Sequence, residues 1–298
     1  MERRPILDRV LRTREGRLLL GWRLTLFVML TITVSGVVGL VIPAGLLTGS
    51  FALLVGSVTA GVVLLALDGR DPGALGFYTR AGAASETALG VLLGTAIALS
   101  LVAVIALTGG VRWSTQDGSL IGWLSGALGA LAFLAIPAAA EEALLRGYPL
   151  QATAEKWGPV GALALTAAVF GALHLSNPGV TALGTVNVMA AGVLLGIIYL
   201  RTASLWWATG AHLGWNWSHG YLADVPVSGL ELLDAPLYEG VMQGPAWLGG
   251  GGFGPEGGLV ATAVVGGASV WCWRSKWLRP SEAAIRARPL AMIEEGGS

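Results

Sequence analysis

The sequence predicts an all-α fold: a polytopic integral membrane protein with about eight transmembrane helices, packed as a bundle around a buried polar cavity. Three observations predict it. Apolar residues make up 54% of the chain and charged residues 12%, against roughly 25% charged in a soluble domain. Apolar runs recur along the whole length, and the mean hydropathy is +0.69. A few strongly polar side chains interrupt those runs, and they fall on separate ones. The 45 glycines favour a tight bundle, because small residues let membrane helices approach closely.

The runs come in order. Residues 1–23 carry seven arginines and three acids, with Val10, Leu11 and Leu18 to Leu20 positioned to lay part of the segment on a membrane surface. No small-residue cleavage site follows, so the first run is expected to stay as an anchor. Apolar runs follow at 24–42, 51–67, 86–107, 120–140, 160–173, 182–200, 205–221 and 257–273. A span needs about 20 residues, so most qualify outright. The run 160–173 is short and must borrow flanking residues or lie inside the bundle.

Arginine and lysine in the short loops set the orientation. With the N-terminus inside, Arg70, Arg80, Lys156, Arg201 and the basic tail all fall inside. The loop 222–256, with five acids and no Lys or Arg, falls outside. Arg112, in the loop 109–119, falls outside; eight spans with both termini cytoplasmic satisfy the pattern at nearly every loop, in a multi-pass protein of the cell membrane. The expected units are a basic N-terminal segment 1–23, N-terminal helices 24–119, a core 120–221, an extracytoplasmic loop 222–256, and a last helix with basic tail 257–298. The loop 68–80 combines turn formers with an aromatic pair and suits a re-entrant or surface helix. The outer loop 222–256, rich in Gly and Pro at its end (GGGGFGPEGG, 249–258), is expected to have no fixed fold. Cys272 is the single cysteine, which excludes an internal disulfide and a cysteine-based metal cluster. No nucleic-acid signature accompanies the basic segment, and no internal repeat suggests an inverted-repeat transporter.

The stretch 137–151, PAAAEEALLRGYPLQ, organises the functional reading. Glu141 and Glu142 follow twenty uncharged residues, 121–140. Arg146 lies four residues after Glu142, so on a helix the two share a face and pair. Glu141 points about 100° away and lacks that counter-ion. An unpaired carboxylate at the edge of an apolar span is costly and marks a functional candidate; the plainer reading is a solvated helix end. His174 closes FGALH, with Phe170 four residues before it on the same face. His212 and Asn216, in HLGWN, are also spaced i, i+4. His219 and Asn187 are further polar positions within or near the runs. A lone membrane histidine is more often an interhelical hydrogen-bond former than a catalyst. Here an acid pair, two imidazoles and a carboxamide sit on three different runs. At 1.5 Å per residue they lie roughly 13–20 Å from the inner boundary, within what helix tilt absorbs.

Such a set suits water activation. Glutamate and histidine orient and deprotonate a water, while a second histidine and an asparagine stabilise an oxyanion. Metal ligation is the alternative use: two His and one Glu leave one zinc position for water. No HExxH helix and no GxSxG elbow is present.

The segments EEALLRG at 141–147, FGALH at 170–174 and HLGWN at 212–216 resemble the three ordered motifs, EExxxR, FxxxH and HxxxN, of the CPBP intramembrane proteases, prokaryotic relatives of the CAAX prenyl endopeptidase. The resemblance covers about 120–217 closely. It implies an intramembrane endopeptidase acting on a peptide bond of a membrane-associated substrate, possible prenylated CAAX-like chains included. Glu141 would be the general base with His174 assisting, and His212 with Asn216 would form the oxyanion pair. Glu142 and Arg146 would brace the site, and Phe170 would shape it. It implies glutamate-dependent chemistry without a cofactor; the alternative is a divalent metal such as zinc on Glu141, His174 and His212. Membrane lipids and a peptide or protein substrate are the expected partners, with no nucleic acid. Two other classes compete: a non-catalytic membrane adaptor or bacteriocin self-immunity protein, in which the polar residues are interhelical glue, and a transporter using the carboxylates as an ion site.

Overall fold

The computed structural model describes residues 11, 17–78, 82–287 and 289–291, and over these the chain is mostly helical. The elements run α1 (Leu20–Gly39), α2 (Leu46–Leu67), a 3-10 turn at Pro72–Leu75, α3 (Ala83–Leu107), β1 (Val111–Thr115), α4 (Leu120–Leu145), α5 (Tyr148–Leu173), α6 (Ala182–Thr202), α7 (Leu205–Trp217) with a π turn at Ser218–Leu222, β2 (Tyr238–Met242), α8 (Leu259–Arg274) and α9 (Glu282–Ala287). Five helical stretches are long and apolar enough to cross a membrane: α1, α2, α3, the combined stretch Leu120–Leu173 and α6. The combined stretch is broken into α4 and α5 at Arg146 and Gly147. At 1.5 Å per residue its 54 residues measure about 80 Å, more than twice a hydrocarbon core of about 30 Å, which is long enough for two spans. α8 is apolar but has only 16 residues, and α7 has 13 before its π turn.

Local chemistry fixes the helix ends. Ser119, Thr181 and Ser204 cap α4, α6 and α7, their side chains accepting from Gly122 N, Gly184 N and Trp207 N, which satisfies backbone donors that have no intrahelical partner. α5 holds a correction. The segment 146–159 is expected as a loop and the run 160–173 as a short span, yet helix extends back to Tyr148. It bends at Gly158, whose φ is 74°. Pro159 explains the bend: it has no N–H and disfavours helical backbone at the residue before it, and glycine takes a positive φ at little cost.

α3 and α7 pack backbone to backbone. A Cβ at Gly90 or Gly94 would overlap the α7 backbone at Trp207 and Ala211, and one at Gly210 or Gly214 would overlap α3 at Thr87 and Val91. Two glycine pairs, each spaced by four, face each other across this contact and set the height of α7 in the bundle. At one face of the bundle Arg23 joins three elements. It donates to Tyr148 Oη (2.7 Å), Glu155 (2.7 Å) and Asp68 (2.9 Å). α1 therefore starts at Leu20, before the expected apolar run, with Arg23 buried among acids. The expected surface helix in 1–23 lies mostly outside the described residues. Within 68–80, the described residues 68–78 form only the 3-10 turn at Pro72–Leu75, with Leu75 buried, and no longer helix; Thr79 and Arg80 lie outside the described residues.

The opposite face carries a two-stranded antiparallel ribbon, β1 with β2, in the register Val111↔Met242 and Trp113↔Gly240. The outer loop 222–256, expected to lack a fixed fold, is ordered here: it contributes β2 and a tight Gly-rich path over 249–258. Phe253 is fully buried and joins an apolar cluster with Phe170 and Val188. Asn187 donates to the carbonyls of Glu256 and Gly258, both at 2.8 Å, and accepts from Thr262 Oγ1. The glycines permit the tight path: Gly250 and Gly254 both hold positive φ and would overlap neighbouring carbonyls if given a Cβ.

Candidate active site

α4 brings the two glutamates into the bundle one turn after Pro137, which removes a backbone donor from the helix. Glu142 and Arg146 are both fully buried and paired at 3.0 Å. Arg146 also donates to Gly192 O on α6 (3.0 Å) and stacks over the Phe170 ring at 4.5 Å. Its charge is thus matched by one carboxylate, one carbonyl and one π face.

The same Glu142 oxygen accepts from His212 Nδ1 at 2.9 Å. That bond fixes the ring of a residue on α7 against α4 and turns Nε2 towards Glu141, whose Oε2 lies 3.9 Å away. Glu141 retains a third of its side-chain exposure, and its Oε2 has no hydrogen-bond partner among the described residues. The two adjacent acids therefore differ as their helical angle requires: one is sealed into the frame, the other faces open space.

That space is a cavity of about 120 Å³. Glu141, His174, His212 and Asn216 all line it, as does Phe170. His174, at the end of α5, places Nδ1 2.8 Å from its own Phe170 O, which leaves Nε2 for the cavity. The Phe170 ring stands between the imidazoles, 4.7 Å from His174 and 6.0 Å from His212 by ring centroids. Every site residue expected from the sequence lies on the cavity or, for Glu142 and Arg146, directly behind it. Among the described residues no group of three or more His, Cys, Asp or Glu is arranged to hold an ion. His212 Nδ1 is committed to Glu142.

Sequence reading missed the far end of the cavity. Glu256 lines it, buried, with Trp215, Ser228 and Asn177 beside it. Trp215 Nε1 and Ser228 Oγ each donate to one oxygen of Glu256 at 2.5 Å. Asn177 donates to Ser228 O at 2.9 Å. Asn187 serves as the tie between α6 and the 249–258 stretch, and His219 is buried 4.0 Å from Glu256. One signal was available for Glu256: it abuts the last apolar run.

These features define a class, a helical multi-pass membrane protein with a glutamate and histidine centre enclosed by three of its apolar helices. Residues 122–218, about a third of the chain, are similar to the family model described as Type II CAAX prenyl endopeptidase Rce1-like, a match that supports an assignment of this segment to the CPBP/CAAX proteases. Neither the curated proteins nor the solved structures gave a match to the chain.

Proposed function

We propose that this protein is an intramembrane endopeptidase that hydrolyses a peptide bond in a membrane-associated substrate, a prenylated CAAX-like chain among the candidates, using water activated by Glu141. One observation carries the reading. Glu141 lines a largely apolar cavity, and its buried, unbonded Oε2 lies 3.9 Å from an imidazole nitrogen that a buried carboxylate holds in place. Interhelical glue, the adaptor reading, accounts for Glu142, Arg146 and His212 but not for an oxygen of Glu141 left without a hydrogen bond.

In the proposed reaction Glu141 removes a proton from water as the oxygen attacks the scissile carbonyl, with His174 Nε2 orienting that water. The carbonyl oxygen gains negative charge and is held by Asn216 Nδ2 and by His212 Nε2. Since Glu142 takes the Nδ1 proton, His212 donates from Nε2 only when the ring carries both protons. Glu141 then passes its proton to the departing amine. No step is routed through a metal. The long 120–173 stretch crossing as two helices supports eight spans, with the ribbon face extracytoplasmic and both termini cytoplasmic.

The test uses the full chain in vesicles with a library of membrane-anchored peptides. Glu141→Gln and His174→Ala each lower cleavage by about 10²–10⁴-fold, the usual worth of a general base, while the melting temperature of each stays near wild type. Chelation leaves wild-type cleavage unchanged. Full activity in both variants overturns the assignment, and loss of activity on chelation that zinc restores overturns the metal-free step.

A further inference from the structure

The cavity has a carboxylate at each end. Glu141 stands at one end against His212; Glu256 stands at the other, only 7% exposed. Both line the same space. α7 measures the distance between them. Glu256 bonds to Trp215, three residues after His212, and approaches His219, seven residues after it. At 1.5 Å per residue this puts Glu256 about 5–10 Å beyond the level of His212. Much of the lining is aliphatic: Ala191, Leu194, Leu195, Ala211 and Val265 are among it.

Glu256 is built for recognition rather than for bracing alone. Trp215 and Ser228 give it one hydrogen bond per oxygen, and an ionised carboxylate has about four acceptor positions. Both of its partners are neutral. His219 is at 4.0 Å, outside hydrogen-bond range. No Lys or Arg is among the described residues that line the cavity, and Arg146 is already matched to Glu142. A buried carboxylate held only by neutral donors favours a cation beside it, since a nearby opposite charge repays part of its lost hydration.

We propose that the Glu256 end of the cavity is a subsite for a primary ammonium group carried on an apolar ligand. The subsite stands on the cavity alone. Its spacing to a reacting bond rests on the reading of Glu141 as the hydrolytic centre: 5–10 Å is about two to three residues of extended chain. A Lys side chain or a free α-amino group at that distance from the scissile bond reaches Glu256, and an acidic residue there is repelled.

Calorimetric titration of the detergent-solubilised full chain with octylamine and with octanol, two probes of matched apolar length, tests it. The wild type binds octylamine about tenfold more tightly or better, the range of a charge-assisted hydrogen bond. Glu256→Gln brings the two affinities together, while Glu141→Gln keeps the preference. Equal affinities in the wild type overturn the proposal, whatever the folding of any variant. Loss of the preference in Glu141→Gln places the cation at the wrong end and overturns it as well. Cleavage of peptides with Lys, norleucine or Glu two and three residues from the bond adds the spacing. A wild type that cleaves none of them sinks the protease reading, while the octylamine result still decides the subsite.

Discussion

Glu141 and Glu142 are chemically identical and one residue apart, yet their environments assign them opposite duties. Glu142 is sealed between Arg146 and His212, and its removal exposes what it was holding. Glu142→Gln leaves a buried guanidinium without its counter-charge, a class of change worth about 3–5 kcal/mol. Thermal unfolding of this variant should fall well below that of Glu141→Gln, whose lost charge faced the cavity. Equal melting temperatures for the two would show that Arg146 does not depend on the pair. The Glu142–Arg146 pair was legible in the sequence, because i, i+4 spacing on a helix is a local rule. The His212–Glu142 bond was not. It spans 70 positions and depends on how α7 sits against α4, which no local period encodes. Spacing alone grouped His212 with Asn216; the fold adds that His212 is oriented from behind by an acid on another helix.

Elements place those residues through their smallest members. α7 reaches the right height because Gly90 and Gly94 on α3 meet Gly210 and Gly214 on α7 with no side chains between. Gly94→Leu forces the two backbones apart at Ala211, the residue before His212. Overpacking of this kind costs about 1–3 kcal/mol, but the effect on His212 is larger than the effect on stability. The variant is expected to insert and to lose cleavage, and Leu in place of the open Gly129, which has nothing near its Cβ position, is the control that keeps activity. Activity retained in Gly94→Leu would mean the α3 contact does not set the site. The abundance of glycine announced close helix packing. Which glycines meet is a property of two helices together, so composition could not name them. The bend in α5 shows the same limit. Gly158 and Pro159 were visible as breakers, but helix resumes on both sides of them because the flanks find partners, Tyr148 with Arg23 at one end and Phe170 within the core at the other.

At the scale of the whole molecule the eight apolar runs reappear as α1 to α8, because hydropathy is a long-window property that survives errors at single residues. The segment 222–258 escaped for the converse reason. It has neither helical nor strand period, and its order comes from contacts made at a distance. Phe253 is the clearest, wholly buried beside Phe170 and Val188. Phe253→Ala is expected to cost about 3–5 kcal/mol and to make the segment sensitive to protease in intact vesicles, with cleavage activity falling as the far wall of the cavity loosens.

Orientation joins these parts into one device. The proposed topology puts the ribbon and Glu256 outside and the Arg23 network inside, with the 222–258 segment over the outer end of the cavity, to whose lining it gives Val227, Ser228, Leu230 and Leu232. Arginines near α1 and after α8 favour this arrangement, since basic loops are retained on the cytoplasmic side. Cys272 is fully buried, so labelling starts from a Cys272→Ser background. A cysteine at Thr115, exposed at the end of β1, should react with a membrane-impermeant maleimide in whole cells, and one at Glu282, exposed at the start of α9, only after lysis. The reverse pattern would turn the bundle over. It would put the Glu256 end inside, and the acid-rich segment would face the cytoplasm against the charge rule that oriented the chain.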